Sequence, residues 1–361
     1  MEATELLRHL VEMGASDLHV KAGSPPFYRV DGELRPGDFP PLGPSDTEAV
    51  AADLLPIRKS DAFADSNEAD FGYTLAGVGR FRINVFRQRG VVGLAIRRVR
   101  AEVPSFEELR LPQVVRSLAD LRRGLVLVTG PAGTGKTTTI ASIIGHINTT
   151  RRAHIVTVED PIEVVHEDVL SIIDQREVGL DTMSFAAALR AVVRQDPDVI
   201  FIGEIRDPQS AEAAIQAAET GHLVISTLHT VDATETVNRI IDLFPPEQQR
   251  QVRIAFAASL RGVLSQRLVP RADGRGRVPA VEVLVATGRV QERIMEPAAT
   301  VEIVDIMAEG GFYGMQTFDQ ALVALVLEGL VNEEDAREAA SNPHDFMLAL
   351  KSARYQTPAT A

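Results

Sequence analysis

Eight consecutive residues, GPAGTGKT at 130–137, carry the densest chemical signal in the sequence. Gly130, Gly133 and Gly135 let backbone amides turn inward around a phosphate, with Pro131, Ala132 and Thr134 completing the loop. Lys136 is spaced to bridge the outer phosphates of a nucleoside triphosphate such as ATP, and the Thr137 hydroxyl to ligate Mg²⁺, with Thr138 opening the next helix. The loop follows an apolar run, LVLV, and precedes a helical segment, as a phosphate-binding loop requires. Without that setting, a glycine-rich turn with an exposed lysine is the plainer reading.

A second signal is DVIFIGE, an apolar strand that delivers Glu204 at its carboxyl end. Ligands bind at that edge of an open α/β sheet, where a carboxylate can orient Mg²⁺ or polarise an attacking water. HIVTVEDPIE likewise ends in Glu159, Asp160 and Glu163. Three carboxylates so close repel one another unless cations or arginines lie nearby; simple solvation at the surface is the alternative. TGHLVISTLHT sets His222 and His229 at the two ends of one strand, where a neutral imidazole can sense a γ-phosphate or make a structural hydrogen bond. Arginines complete the set. Arg82 and Arg97 lie on two paired strands far from the loop in sequence, and Arg190 and Arg194 share a helix face at i, i+4. Any of these could neutralise transition-state charge.

These residues need elements to position them. From residue 121 onward, apolar runs alternate with helical segments at 184–195 and 208–219, which predicts a mainly parallel sheet with helices on both faces. The first hundred residues alternate short strands with turn signals, an α+β pattern; in RFRINVF, Phe81, Ile83 and Val85 face one side while Arg82 and Asn84 face the other. A polar stretch at 98–104 that ends in proline reads as a linker, giving domains at 1–98 and 111–361 joined through 99–110. The end of the chain is helical over about 289–352, where Asn332 is expected to cap a helix.

Composition narrows the function. The 361 residues are 45% hydrophobic and 24% charged, an ordinary globular balance. A net charge of −13 argues against stable capture of nucleic acid. The absence of cysteine removes disulfides, thiolate metal sites and thiol nucleophiles. With no apolar run long enough for a transmembrane segment and an acidic start, the expected location is cytoplasmic.

Read together, these segments resemble the secretion-type ATPases of type IV pili and type II secretion, over about residues 6–350. GASDLHVKAGSPPFYRVDGEL is similar to the start of the family's N-terminal PAS-like domain, VEDPIE to its Asp box, the run ending DVIFIGEIRD to its Walker B motif and AAETGHLVISTLHT to its His box. The resemblance implies a PAS-like α+β domain followed by a RecA-like P-loop ATPase core with C-terminal helices. It implies Lys136 and Thr137 on the phosphates and Mg²⁺, Glu204 as the Walker B glutamate and Glu163 as general base. His222 and His229 become the His-box pair, and Arg82 and Arg97 the arginine sensors. It also implies a homohexamer with nucleotide between one N-terminal domain and the neighbouring core, at the inner face of the cell membrane and acting on an inner-membrane pilus platform protein.

GMQTFDQAL resembles the retraction branch, and the lack of cysteine favours it over extension ATPases, which carry a four-cysteine zinc site. Residues 293–303, RIMEPAATVEI, depart from that branch's AIRxGK-like segment, and Pro297 is expected to break a helix there. Rival readings are a pilus assembly or secretion ATPase of the same superfamily, a RecA-like nucleic-acid translocase, and a ring that binds nucleotide but hydrolyses it poorly.

Overall fold

The structure is a computed structural model that describes residues 2–30, 32–99 and 103–356. The chain divides into two compact units. One comprises Met1–Glu102, Glu159–Glu167 and Gln175–Ser184; the other comprises Val103–Val158, Asp168–Asp174 and Phe185–Ala361. The first unit is therefore not one continuous stretch: the acidic segment that follows VTV belongs to it.

In the first unit the order is α1 (Ala3–Glu12), β1 (Asp17–Lys21), β2 (Phe27–Val30), β3 (Glu33–Pro36), α2 (Pro44–Leu54), α3 (Ile57–Ser66), β4 (Glu68–Leu75), β5 (Gly79–Gln88) and β6 (Val91–Arg98). The strands form an antiparallel sheet ordered β3-β2-β1-β6-β5-β4. Alternation decides its faces. Phe81, Ile83 and Val85 of β5 are buried in a core with Leu6, Leu7 and Leu10 of α1, each such side chain contributing roughly 1.5–3 kcal/mol. Arg82 falls on the other face, in register with Arg97 of β6 and Gly72 of β4.

The chain continues with α4 (Val114–Ala119), β7 (Gly124–Thr129), α5 (Lys136–Thr150), β8 (His154–Glu159), β9 (Ile172–Glu177), α6 (Phe185–Val192), β10 (Val199–Ile202), α7 (Pro208–Glu219), β11 (Leu223–Leu228), α8 (Ala233–Asp242), α9 (Pro246–Ser259), β12 (Leu260–Pro270) and β13 (Arg277–Val285), all in the second unit except Glu159 at the end of β8 and the last three residues of β9, which belong to the first. Helices α10 (Gly288–Met295), α11 (Ile303–Glu309), α12 (Phe318–Leu327), α13 (Glu333–Ala339) and α14 (Pro343–Gln356) end it. The second sheet runs β13-β12-β7-β11-β10-β8-β9, with β12, β7, β11, β10 and β8 successively parallel. Every residue of β7, β10 and β11 is buried, as strands covered on both faces must be.

Three local expectations change. Helix α6 stops at Val192, and Arg194 lies in the turn beyond it, so Arg190 and Arg194 do not share a helix face. The turn closes through Asp196 at φ 56°, which ends the helical path. Asn332 occupies the N-cap of α13, but its amide donates to Asp335 and caps no backbone N–H. Residues 260–285, for which the sequence suggested no element, form an antiparallel hairpin, β12–β13, on the edge of the parallel sheet. Pro297 does end a helix: α10 stops at Met295 and residues 297–302 continue as a 3-10 helix.

Candidate nucleotide site

The phosphate loop joins β7 to α5 at the carboxyl edge of the parallel strands. Gly130, Gly133 and Gly135 all have positive φ, at 138°, 79° and 92°. At Gly130 a side chain is excluded twice over, because a Cβ would collide with the Gln266 carbonyl and the Thr134 hydroxyl. The Lys136 ammonium is buried within the loop and donates to the carbonyls of Gly130 at 2.6 Å and Pro131 at 2.9 Å. Pro131, Ala132, Gly133 and Thr137 are exposed, and Thr138 is half-buried beside them. A cavity of about 180 Å³ opens next to the loop, lined by Thr134, Gly135, Thr138, Leu268, Arg271 and Arg277 among others.

At the end of β10, Glu204 is largely enclosed. Arg206 lies 2.5 Å from its Oε1 and the His229 ring 3.6 Å from its Oε2. The strand end is pinned from both sides: Thr227 donates its hydroxyl to the Gly203 carbonyl at 2.6 Å, and Gly203 N–H donates to Val158 at 2.8 Å. His222 stands at the opposite end of β11, bonded to the Ala217 carbonyl at 2.9 Å. The structure therefore brings His229 to Glu204 and leaves His222 at the far edge of the sheet. Arg190 and Arg194 are exposed, and neither forms an ion pair among the described residues. Arg206 was not singled out in the sequence, although its place two residues beyond Glu204 in GEIRD was the available signal.

The acidic segment belongs to the first unit. Glu159 is buried and accepts from the Gln175 amide at 3.1 Å, while Asp160 is exposed. Glu163 approaches Arg82 at 3.9 Å. Arg82 also grips Asp70 through two nitrogens, at 2.6 and 3.3 Å. The hydrogen bond to Asp70, helped by the charges of Glu163 and Asp160, holds the guanidinium above its ordinary pKa against burial. Arg97 donates to Asp17 at 2.8 Å. Burial pushes Asp17 up, but Ser16, Arg97 and Arg29 together hold its carboxyl below the usual value.

The donor set suits a nucleotide that brings its own metal. The loop offers a buried ammonium and the amides of a helix N-terminus to phosphate. Among the described residues, no group of three or more His, Cys, Asp or Glu could hold a metal ion by itself. A hydroxyl and a carboxylate at the sheet edge are what a phosphate-borne Mg²⁺ requires.

Comparison with known proteins agrees with this geometry. The sequence model of the family described as "Type II/IV secretion system protein" matches residues 103–341. The chain is 43% identical to the type IV pilus retractation ATPase PilT of Pseudomonas aeruginosa, over 96% of this chain and 100% of that one. It is 41% identical to the type IV pilus ATPase PilU of the same organism, over 97% of this chain and 92% of that one. The crystal structure of the pilus retraction motor PilT with bound ADP superposes with a TM-score of 0.87 at 46% identity, covering 96% of this chain and 98% of that one. The Legionella pneumophila ATPase DotB does so with 0.83 at 26%, covering 93% and 94%. A phosphate loop and strand-end glutamate built this way, in a chain this similar from end to end, make the protein a member of the type II/IV secretion system protein family.

Proposed function

We propose that the protein is a Mg²⁺-dependent ATPase motor that works as a ring of six copies and powers type IV pilus retraction. The observation that carries the reading is the convergence at one sheet edge of Lys136 within its loop and Glu204 with Arg206 and His229. Relatives named for pilus retraction, similar over almost the whole chain, support the task.

Lys136 exchanges its contacts with the loop carbonyls for the outer phosphate oxygens, so the loop holds a cation ready in advance of the ligand. Mg²⁺, when bound with the nucleotide, neutralises phosphate charge, and Thr137 and Glu204 are the ligands this chain offers it. Glu163 takes the proton of the attacking water as general base. Arg82 and Arg97, from the first unit of a neighbouring copy, balance charge at the γ-phosphate, and the base of ATP lies in the cavity beside Thr138 and Leu268. His229 reads the state of Glu204 through its ring nitrogen.

Among the described residues no helix is long and apolar enough to cross a membrane. The protein then acts from the cytoplasm, at the inner face of the membrane, on a pilus platform protein. The test pairs two readouts of wild type and Glu204→Gln. Phosphate release is expected to fall by about 10² or more in the variant while ATP binding persists. In cells lacking the gene, only wild type should restore retraction. Equal phosphate release from both proteins would sink the catalytic assignment, and retraction that persists without the gene or a paralogue would sink the task.

A further inference from the structure

Glu177 belongs to none of the groups assigned above, yet it is 1% exposed, the most enclosed carboxylate among the described residues of the first unit. Its Oε1 accepts from the Gly72 N–H at 2.7 Å. Its Oε2 accepts from the Ile162 N–H at 3.3 Å and from the Arg80 guanidinium. Three elements thus meet on one side chain: the paired strands β4, through Gly72, and β5, through Arg80, 105 and 97 residues away in sequence, and the acidic segment through Ile162.

What those three segments carry gives the contact its meaning. Ile162 is the chain neighbour of Glu163. Arg80 stands two residues before Arg82 and so on the same face of β5. A single carboxylate therefore fixes the backbone beside the base and the strand beside its arginine. Gly72 adds independent support, since a Cβ there would overlap both the Arg80 guanidinium and the Glu177 carboxylate. The strand has no side chain where one would keep the pair apart. Desolvation offsets much of the attraction in a buried ion pair, so the arrangement is a poor source of stability and a good source of fixed position.

We propose that Glu177 is a positioning residue that, through the Ile162 N–H and Arg80, sets Glu163 relative to Arg82 for ATP hydrolysis. The inference rests on Glu163 as general base. It is tested by steady-state ATP turnover of the full chain as wild type, Glu177→Gln, Glu163→Gln and the double variant. Glu177→Gln is expected to lower kcat roughly ten- to a hundredfold, the loss typical of a group displaced by about 1 Å. The KM for ATP should stay within about twofold, because ground-state binding is untouched. The double variant should be no slower than the residual rate of Glu163→Gln, because both changes disable the same group.

An increased KM with unchanged kcat, or a further independent loss in the double variant, would overturn the inference in favour of a merely structural role. Unchanged turnover in Glu177→Gln beside an inactive Glu163→Gln overturns it as well. Wild-type turnover in Glu163→Gln instead overturns the reading of the base itself. If Glu177→Gln does not fold, Gly72→Ala decides: it keeps both charges and inserts one methyl group against the pair. A loss confined to kcat supports the inference, and unchanged kcat overturns it.

Discussion

Arginine, not lysine, is what the carboxylates around residue 82 require. Its Nε and Nη2 serve Asp70 while Nη1 faces Glu163, a division of labour that needs a planar fork. A lysine keeps the charge but offers one point donor. Arg82→Lys should therefore lower ATP turnover by at least about tenfold, short of the roughly 10³ expected when such an arginine is removed. Nucleotide affinity, followed by titration with a fluorescent ATP analogue, should not change; turnover equal to wild type would remove Arg82 from the site. At this scale the sequence was uneven. The phosphate loop was legible because its glycine demand is met within eight residues, GPAGTGKT. The contacts of Glu177 and Asp17 were not, because each depends on an arginine distant in the chain: Arg97 reaches Asp17 by β1–β6 pairing across 80 positions, and Arg80 reaches Glu177 across 97 positions from a different sheet.

Elements were legible where burial imposed one pattern. Helix α7 falls on residues 208–219, as its apolar spacing and leading proline indicate, and β5 shows its alternation. The β12–β13 hairpin was not, because buried Ser265 and Gln266 interrupt β12 and buried Glu282 interrupts β13, so neither strand shows a clean apolar run or a two-residue alternation. That hairpin has a further consequence through Glu282 of β13, which accepts from the Ala233 N–H at the start of α8 at 2.8 Å. Burial pushes its carboxyl up to about 7, with Asp232 adding to the rise and Arg267 and the Ala233 and Phe318 backbone groups opposing it. Unfolded, the same group titrates near 4.5. The folded protein binds this proton more tightly, so the associated stability is complete below about pH 4.5 and is lost as pH rises through about 7. The loss is on the order of 3 kcal/mol. Urea melts of wild type and Glu282→Gln across this range should diverge: wild type loses stability relative to the variant as pH rises. Parallel pH profiles would show that Glu282 is already ionised in the folded state.

For the whole molecule, the proposed ring implies that the phosphate loop of one copy works with the arginines and base of the next. The residues of the proposed site divide between the two compact units: Lys136, Glu204 and His229 lie in one, Arg82, Arg97 and Glu163 in the other. If each site is shared between copies, a variant dead in one half can be rescued by a variant dead in the other. Glu204→Gln copies keep intact arginines, and Arg82→Ala copies keep an intact strand-end glutamate. Mixed in equal amounts and allowed to exchange subunits, they should regain ATP turnover, because about a quarter of randomly formed contacts in a closed ring then join two intact halves. Each protein alone stays inactive at the same total concentration. A site contained in one chain predicts no regain at any ratio, since every copy would hold one broken half. Turnover that rises on mixing and is lost on dilution below the concentration that sustains the ring, as mass action requires, would tie hydrolysis to the shared site.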